Sequence, residues 1–510
     1  MRSSPASPPS RRRFLAHLGG TAALVSLAGL RSRAESSSSV TSTDSSSDPL
    51  YASATKLAEL IRTKKLSSVE AVQAQLARIA AVNPKINAVV TLVTERALAE
   101  AAAADAALAR GRSLGPLHGV PFTIKDSLET AGVISTAGTL GRKGHVPGTD
   151  ATAVARVRAA GAILIGKTNT PEFTLGGGGL GTYNLVFGQT YNPYKAGYSP
   201  SGSSGGAGAI VAAGGSSFDI GSDFGGSIRG PAHMNGIAGI KPTTGRVPRT
   251  GHLPGYGGPF DSYQQLGPLA RRVEDLELIL SLIAGPDFED PVILPIPLGA
   301  SSAVSLKGLR VAFYTSNAVS TPSAETIAAV KNAAQALAPA VASVTEAFHG
   351  GDAEGQEIRS AYVGADGGAW FQRMLDEAGT RTASPGIVRR ITGKTLAADQ
   401  FTRLAERQDA LRSRLLSWMD SYDVILCPTG ATPATALDRP ETPGAPVGGG
   451  YTQIYNITGW PAAVLRGGMS PDGLPIGVQI VGKPWRDDVV LAVARHLEAQ
   501  PGFGYRPPVL

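Results

Sequence analysis

Cysteine is all but missing: Cys427 is the only one in 510 residues. An intrachain disulfide framework and a thiolate metal cluster are thereby excluded. Its setting, DVILCPTG, reads as a buried strand and not as a nucleophile's pocket. Charge is sparse at 17%, against 42% hydrophobic residues, which excludes a disordered polar chain and fits a folded body. No apolar run reaches the roughly 20 residues that span a bilayer. A basic stripe is absent too, although the formal charge is +7. Residues 1–34 hold Arg2, Arg11, Arg12, Arg13, Arg31 and Arg33 with no acid, so 47 basic residues less these six leaves 41 against 40 acids. The body is near neutral and carries no electrostatic case for nucleic acid.

What the N-terminus does have is Ser10-Arg11-Arg12-Arg13-Phe14-Leu15, a mildly apolar stretch to Leu30, and the small-residue end Ser32-Arg33-Ala34. This resembles a twin-arginine export signal, which implies a periplasmic or extracellular protein with no stable membrane insertion once the signal is removed. That route carries folded proteins, so a chain without disulfides suits it. Residues 35–49, ESSSSVTSTDSSSDP, read as a flexible linker. Length alone suggests several domains, but no later linker divides the body, so one domain is expected over 50–510.

Periodicity predicts strands and helices in alternation, hence an α/β layered fold. ATKLAELIRTKKL is helical, and Ser67 with Glu70 forms a capping box opening a helix that Asn83-Pro84 is expected to stop. INAVVTLV is a strand, ERALAEAAAADAALARG an alanine-rich helix, and HGVPFTIKD a short strand delivering Lys125 and Asp126. Asp150 is expected to open ATAVARVRAA, and AILIG follows as a strand. LRVAFYT, YDVILCP and PIGVQIVG are further strands, and Ser470-Pro471-Asp472-Gly473 turns the last hairpin.

Glycine is abundant at 63 residues, and with serine it dominates residues 199–232, SPSGSSGGAGAIVAAGGSSFDIGSDFGGSIRGPA. Three short patterns compete nearby. Gly176-x-Gly178-x-x-Gly181 has dinucleotide-binding spacing but opens no helix. Gly202-Ser203-Ser204-Gly205-Gly206 fits a nucleophile elbow with Ser204 at its centre, yet the preceding NPYKAGYSPS is no strand. Ser53-x-x-Lys56 lacks the Ser-Asp-Asn and Lys-Thr-Gly segments that would complete a penicillin-recognising site.

A larger combination remains. HGVPFTIKD, SGSSGG and GSDFGGSIRGPA, followed by GIKPTTGR, YNITGWPA and DGLPIGVQIVG, resemble the amidase signature family in order and spacing over most of residues 50–500. The resemblance implies an α/β/α sandwich with a large central mixed sheet of about eleven strands, and a Ser-Ser-Lys triad. By position it makes Ser227 the nucleophile, Ser203 a relay serine after a cis peptide, and Lys125 the base. The backbone N–H groups of Phe224, Gly225 and Gly226, with that of Ser227, would form the oxyanion hole. Ser204 would support its loop by hydrogen bonding, Asp223 and Arg229 would brace the nucleophile segment, and His233 would be structural. FGQTYNPY is similar to the fatty acid amide hydrolase branch, which would set Gly177 against the acyl group. Ser201 and Phe224 depart from the usual pattern, and the Phe224 ring would shape the acyl pocket.

The composition fits this chemistry. A serine hydroxyl attacks only when a base takes its proton, and lysine is a base only when neutral. Its ordinary pKa of about 10.4 has to fall about three units, roughly 4 kcal/mol, which burial can supply. Asp126 would oppose that shift only if it faced inward, and neighbours on a strand face opposite ways. The resemblance therefore implies an amidase releasing ammonia or an amine from a small-molecule carboxylic amide, without cofactor or metal, as a monomer or homodimer. The alternatives are an esterase of the α/β-hydrolase type using Ser204 and an amidotransferase-type subunit.

Overall fold

The computed structural model describes residues 48–176, 181–438 and 450–510, without the side chains of residues 259 and 260. The expected export segment, most of the linker, and Gly177 lie outside the described residues. Among the described residues thirteen strands form in chain order: β1 (Val89–Leu92), β2 (Pro121–Lys125), β3 (Ile163–Thr168), β4 (Tyr183–Asn184), β5 (Gly188–Gln189), β6 (Phe218–Asp223), β7 (Ala238–Lys241), β8 (Gln265–Ala270), β9 (Arg310–Phe313), β10 (Ser343–Glu346), β11 (Val424–Pro428), β12 (Ala462–Met469) and β13 (Pro475–Gly482).

Eight of them pair in the order β10-β9-β11-β13-β12-β7-β8-β6, and three in the order β1-β3-β2. The pairings β9/β10, β9/β11 and β2/β3 are parallel and the others in these two sheets antiparallel, so the architecture is mixed. The expected eleven strands are thus divided eight and three. Where β2 meets β6 the link runs through side chains: the Thr123 N–H donates to Ser216 Oγ at 2.9 Å, Thr123 Oγ1 to Asp219 Oδ2 at 2.7 Å, and Lys125 Nζ to Ser222 Oγ at 2.9 Å.

Alternation along β11 shows why the sheet is buried on both faces. Val424 and Leu426 enter one core with Leu276, Val330 and Val490 from the helices Val273–Ile283, Ala324–Leu337 and Asp487–Glu498. Ile425 and Cys427 enter a second core with Ile358, Phe371 and Leu411 from the helices Asp352–Val363, Ala369–Glu377 and Ala398–Met419. This is an α/β/α sandwich. Among the described residues no helix is long and apolar enough to cross a membrane.

Local departures from the expected elements have local causes. The helix opened by the Ser67–Glu70 capping box runs over Ser68–Ile86, through Pro84, and ends at Asn87 in the left-handed region. Pro84 lies in the final turn, and the Asn83 side chain accepts the Ala88 and Val89 N–H groups, so the chain is capped beyond the proline. Asp150 does not cap Thr152–Ala159: its carboxylate accepts from the Ala131 N–H and from Arg158. Ser53 caps Ala54–Arg62 by accepting the Lys56 N–H at 3.0 Å, which accounts for the Ser53-x-x-Lys56 spacing.

Candidate active site

Lys125 ends β2, fully buried, and its ammonium reaches sideways to β6 and to the loop before the helix Gly205–Ala212. Its Nζ donates to Ser203 Oγ at 2.6 Å and Ser222 Oγ at 2.9 Å. Burial lowers its pKa to about 7, while Asp219 and Asp223 oppose the fall. Asp126 faces the other way, as alternation requires. Its carboxylate accepts from the Thr136 N–H and hydroxyl and interacts with Lys167, and it does not contribute to the Lys125 shift.

The Gly202–Ser203 peptide is cis, and Ser203 is buried. The next residue links this loop to the GGS segment: the Ser204 N–H donates to the Ser227 carbonyl at 3.2 Å. Lys125, Ser203 and Ser227, far apart in sequence, thus meet at one place. Ser227 is half-buried, and its hydroxyl has no hydrogen-bond partner among the described residues. Ser204 is different: it is fully buried, with Oγ lying 3.4 Å from both the Ser222 carbonyl oxygen and the Ser222 N–H nitrogen. A hydroxyl enclosed in this way against β6 ties the loop to the strand, which counts against Ser204 as the nucleophile of an esterase.

The segment after β6 is held by a buried ion pair. Arg229 Nε and Nη2 donate to the two oxygens of Asp223 at 3.0 and 2.9 Å. Its other donors reach the Thr452 carbonyl, Gln479 Oε1 and Asn456 Oδ1. Burial by itself would raise the Asp223 pKa, but the charge and hydrogen bonds of Arg229 and the Asn456 amide hold it well below the usual carboxylate range. Both bracing residues were legible in the sequence, whereas their partners Asn456 and Gln479 come from distant segments.

Asp223 also revises one donor of the expected oxyanion hole. The Gly226 N–H donates to Asp223 Oδ1 at 2.8 Å, and the Ile228 N–H to Oδ2 at 3.1 Å. A carboxylate a few residues upstream competes for amides that a turn would otherwise aim outward. The N–H groups of Gly225 and Ser227 have no such partner among the described residues. Gly226 has φ of +121°, a conformation open to glycine, and a Cβ there would meet Thr452 Oγ1 at 2.5 Å.

Several polar residues at this place escaped sequence reading. Ser222 contacts Lys125 directly, and Asp219, buried in β6, accepts from Thr123 and Thr168 while facing the charges of Lys125 and Lys167. A carboxylate inside the apolar strand FDIGSD was the available signal, because such a group survives burial only among donors or cations. His233 is structural: its Nδ1 accepts from the Gly477 N–H at 2.7 Å, so Nε2 donates to the Thr432 carbonyl at 3.0 Å. Cys427 lies buried on β11, where Gln479 donates to its sulfur at 3.2 Å and burial raises the thiol to about 11.

The chain is similar to known proteins over most of its length. The sequence profile of the family described as Amidase matches residues 70–491. A glutamyl-tRNA(Gln) amidotransferase subunit from Moorella thermoacetica is 36% identical over 490 residues, covering 90% of this chain and 99% of that protein. An acylamidase from Rhodococcus erythropolis is 35% identical over 468 residues, covering 88% of this chain and 95% of its own. Among solved structures, 6-aminohexanoate cyclic dimer hydrolase superposes with a TM-score of 0.78 at 30% identity, covering 90% of this chain and 99% of that one.

Proposed function

Because the chain belongs to the amidase family of amide-bond hydrolases, we propose that it cleaves small carboxylic amides through an acyl-enzyme on Ser227. The observation that carries this reading is the fully buried Lys125 ammonium position, 2.6 Å from Ser203 Oγ, with a pKa brought to about 7 by burial. A base with that affinity is neutral in half the molecules at neutral pH and still strong enough to accept a hydroxyl proton in the transition state.

Ser227 Oγ attacks the amide carbonyl as its proton passes through Ser203 to Lys125. The negative oxygen is met by the N–H groups of Gly225 and Ser227 with that of Phe224, the Gly226 N–H being committed to Asp223. The proton then returns through Ser203 to the leaving nitrogen, the C–N bond breaks, and ammonia or an amine departs. Water attacks the ester by the same proton route, releasing the acid and restoring Ser227. Asp223 and Arg229 act as positioning residues that hold the attacking segment rigid. The arginine-led N-terminus supports export of the folded enzyme by the twin-arginine route.

A fluorophosphonate probe and a 4-nitroanilide substrate test the assignment. Ser227→Ala is expected to abolish both labelling and the nitroaniline burst, and Lys125→Ala to slow the burst by at least about 10³-fold. Ser204→Ala should keep both, since its hydroxyl only joins the loop to β6. Loss confined to Ser204→Ala would refute the assignment. The 36% identity to an amidotransferase component favours a second reading, in which the chain works inside a complex. Turnover of simple amides by the isolated chain supports hydrolysis, and turnover only of glutamine with added partner proteins supports the complex.

A further inference from the structure

Asp219 is a buried carboxylate that the proposed proton route leaves idle. It lies in β6 with no exposed surface, and only one of its oxygens is bonded. Oδ2 accepts from Thr123 Oγ1 at 2.7 Å and from Thr168 Oγ1 at 3.1 Å, while Oδ1 has no hydrogen-bond partner among the described residues. The two threonines fix its direction. Thr123 stands two residues before Lys125 on the same face of β2, and Thr168 is the residue opposite Lys125 in the β2/β3 register. Gly221, two residues further along β6, would place a Cβ 2.5 Å from Ser204 Oγ, so Asp219 shares the side of the strand on which the Ser203–Ser204 loop lies.

Lys125 is its complement. Two of the three ammonium donors reach Ser203 and Ser222, and the third has no acceptor among the described residues. Lys167, the other cation that faces Asp219, has all three donors taken, by the Leu128 carbonyl, Thr130 Oγ1 and Ser135 Oγ, and has the charge of Asp126 beside it. The remaining groups that face Lys125 are spoken for. Asp223 is paired with Arg229, and His252, on the loop after β7, is brought down to about 3 by burial and by the Lys125 charge, so it stays neutral. A carboxylate with a bare oxygen inside a protein is costly unless a cation stands near. Holding two threonine hydroxyls needs an acceptor, not a charge. Distance completes the argument, since a carboxylate in direct contact would pin the lysine as an ammonium and spoil it as a base. One beyond contact eases the ammonium formed during reaction and leaves burial to keep the resting amine available.

We propose that Asp219 is a positioning residue of the proton relay, a buried counter-ion for the ammonium that Lys125 becomes when it takes the Ser227 proton through Ser203. As the Ser227 O–H bond breaks and its oxygen bonds to the carbonyl carbon, the proton ends on Nζ and positive charge appears opposite Asp219. When the leaving nitrogen takes that proton, the charge on Nζ disappears. The carboxylate gains and loses nothing in either step. It acts through Lys125 alone and touches no reacting atom.

This inference rests on the proposed amidase reading, so the test includes a readout that needs no turnover. In protein carrying carbon-13 at lysine Cε, the Lys125 resonance is assigned by its loss in Lys125→Met and titrated by nuclear magnetic resonance. Asp219→Asn keeps an acceptor for both threonine hydroxyls and removes only the charge. It is expected to lower the Lys125 midpoint by at least about one pH unit, and to move the rising limb of the 4-nitroanilide burst with it. The plateau should fall about three- to tenfold, because a weaker base takes the proton less readily. Linkage requires the reciprocal effect, which also serves should Asp219→Asn fail to fold. With carbon-13 at aspartate Cγ, the Asp219 resonance, assigned by its displacement in Thr168→Val, should titrate at least about one unit higher in Lys125→Met than in the wild type. Far-ultraviolet circular dichroism verifies that each variant is folded. A Lys125 midpoint unmoved in Asp219→Asn, an Asp219 midpoint unmoved in Lys125→Met, or a slower burst with its limb in place overturns the counter-ion and leaves the amidase reading intact. Both midpoint shifts in a protein that cleaves no amide support the counter-ion and count against the amidase reading.

Discussion

The buried lysine makes the pH dependence of acylation the sharpest test of the proposed chemistry. With Lys125 at about 7, its neutral fraction is about 1% at pH 5 and half at pH 7, so the acylation rate should climb about hundredfold from pH 5 to a plateau above pH 8. An exposed lysine of pKa about 10.4 would behave otherwise: the rate would rise tenfold per unit to beyond pH 10 and stand about 2,500-fold below its plateau at pH 7. The difference of about 3.4 units corresponds to roughly 4–5 kcal/mol of destabilised ammonium, which complete burial beside only two hydroxyl acceptors supplies. Asp219, pushed up to about 7 by burial, faces Lys125, so the rising limb belongs to both groups. In Asp219→Asn one opposing negative charge is gone, and the limb should move to lower pH. Stopped-flow measurement of the 4-nitroanilide burst from pH 5 to 10 gives the profile directly. A flat rate over that range, or a continued tenfold rise past pH 9, would refute a buried neutral lysine as the base.

Two further outcomes concern stability. Lys241 is fully buried with one bond to the Pro242 carbonyl, and burial and Arg229 bring it to about 7. Because its folded pKa is below the unfolded one, the penalty is complete below pH 7 and fades by about pH 10.5. Lys241→Met should therefore raise unfolding free energy at pH 7 by about 2–4 kcal/mol, with no gain at pH 10.5, as urea titrations at the two pH values will measure. At Gly221 a Cβ would lie 2.5 Å from Ser204 Oγ and 2.8 Å from Leu269 Cδ1. Gly221→Ala should cost about 1–3 kcal/mol in the same assay, and a change below about 0.5 kcal/mol would mean that the Ser204 loop yields more easily than its burial implies.

Legibility varied with the range of the interactions involved. Helix starts were readable where the capping atoms are neighbours in sequence, as at Ser67 and Glu70. The stop at Pro84 was misplaced because Asn83 reaches forward to Ala88 and Val89, a contact that periodicity does not encode. Lys125, Ser203 and Ser227 were candidates through the resemblance of their segments to the amidase signature family. Ser222 and Asp219 were not, since each matters only through what lies across the seam between β2 and β6.

By itself the sequence determined the alternation of strands and helices, the absence of disulfide chemistry, and the glycine- and serine-rich segments that carry Ser203 and Ser227. Those are properties of neighbours along the chain, governed by side-chain period and backbone freedom. Tertiary structure alone decided that Ser204 is sealed against β6 while Ser227 is only half-buried, that Asp223 takes the Gly226 N–H, and that burial lowers the Lys125 pKa to about 7. Desolvation and hydrogen-bond competition depend on everything packed around an atom, and most of what surrounds these atoms comes from remote parts of the chain.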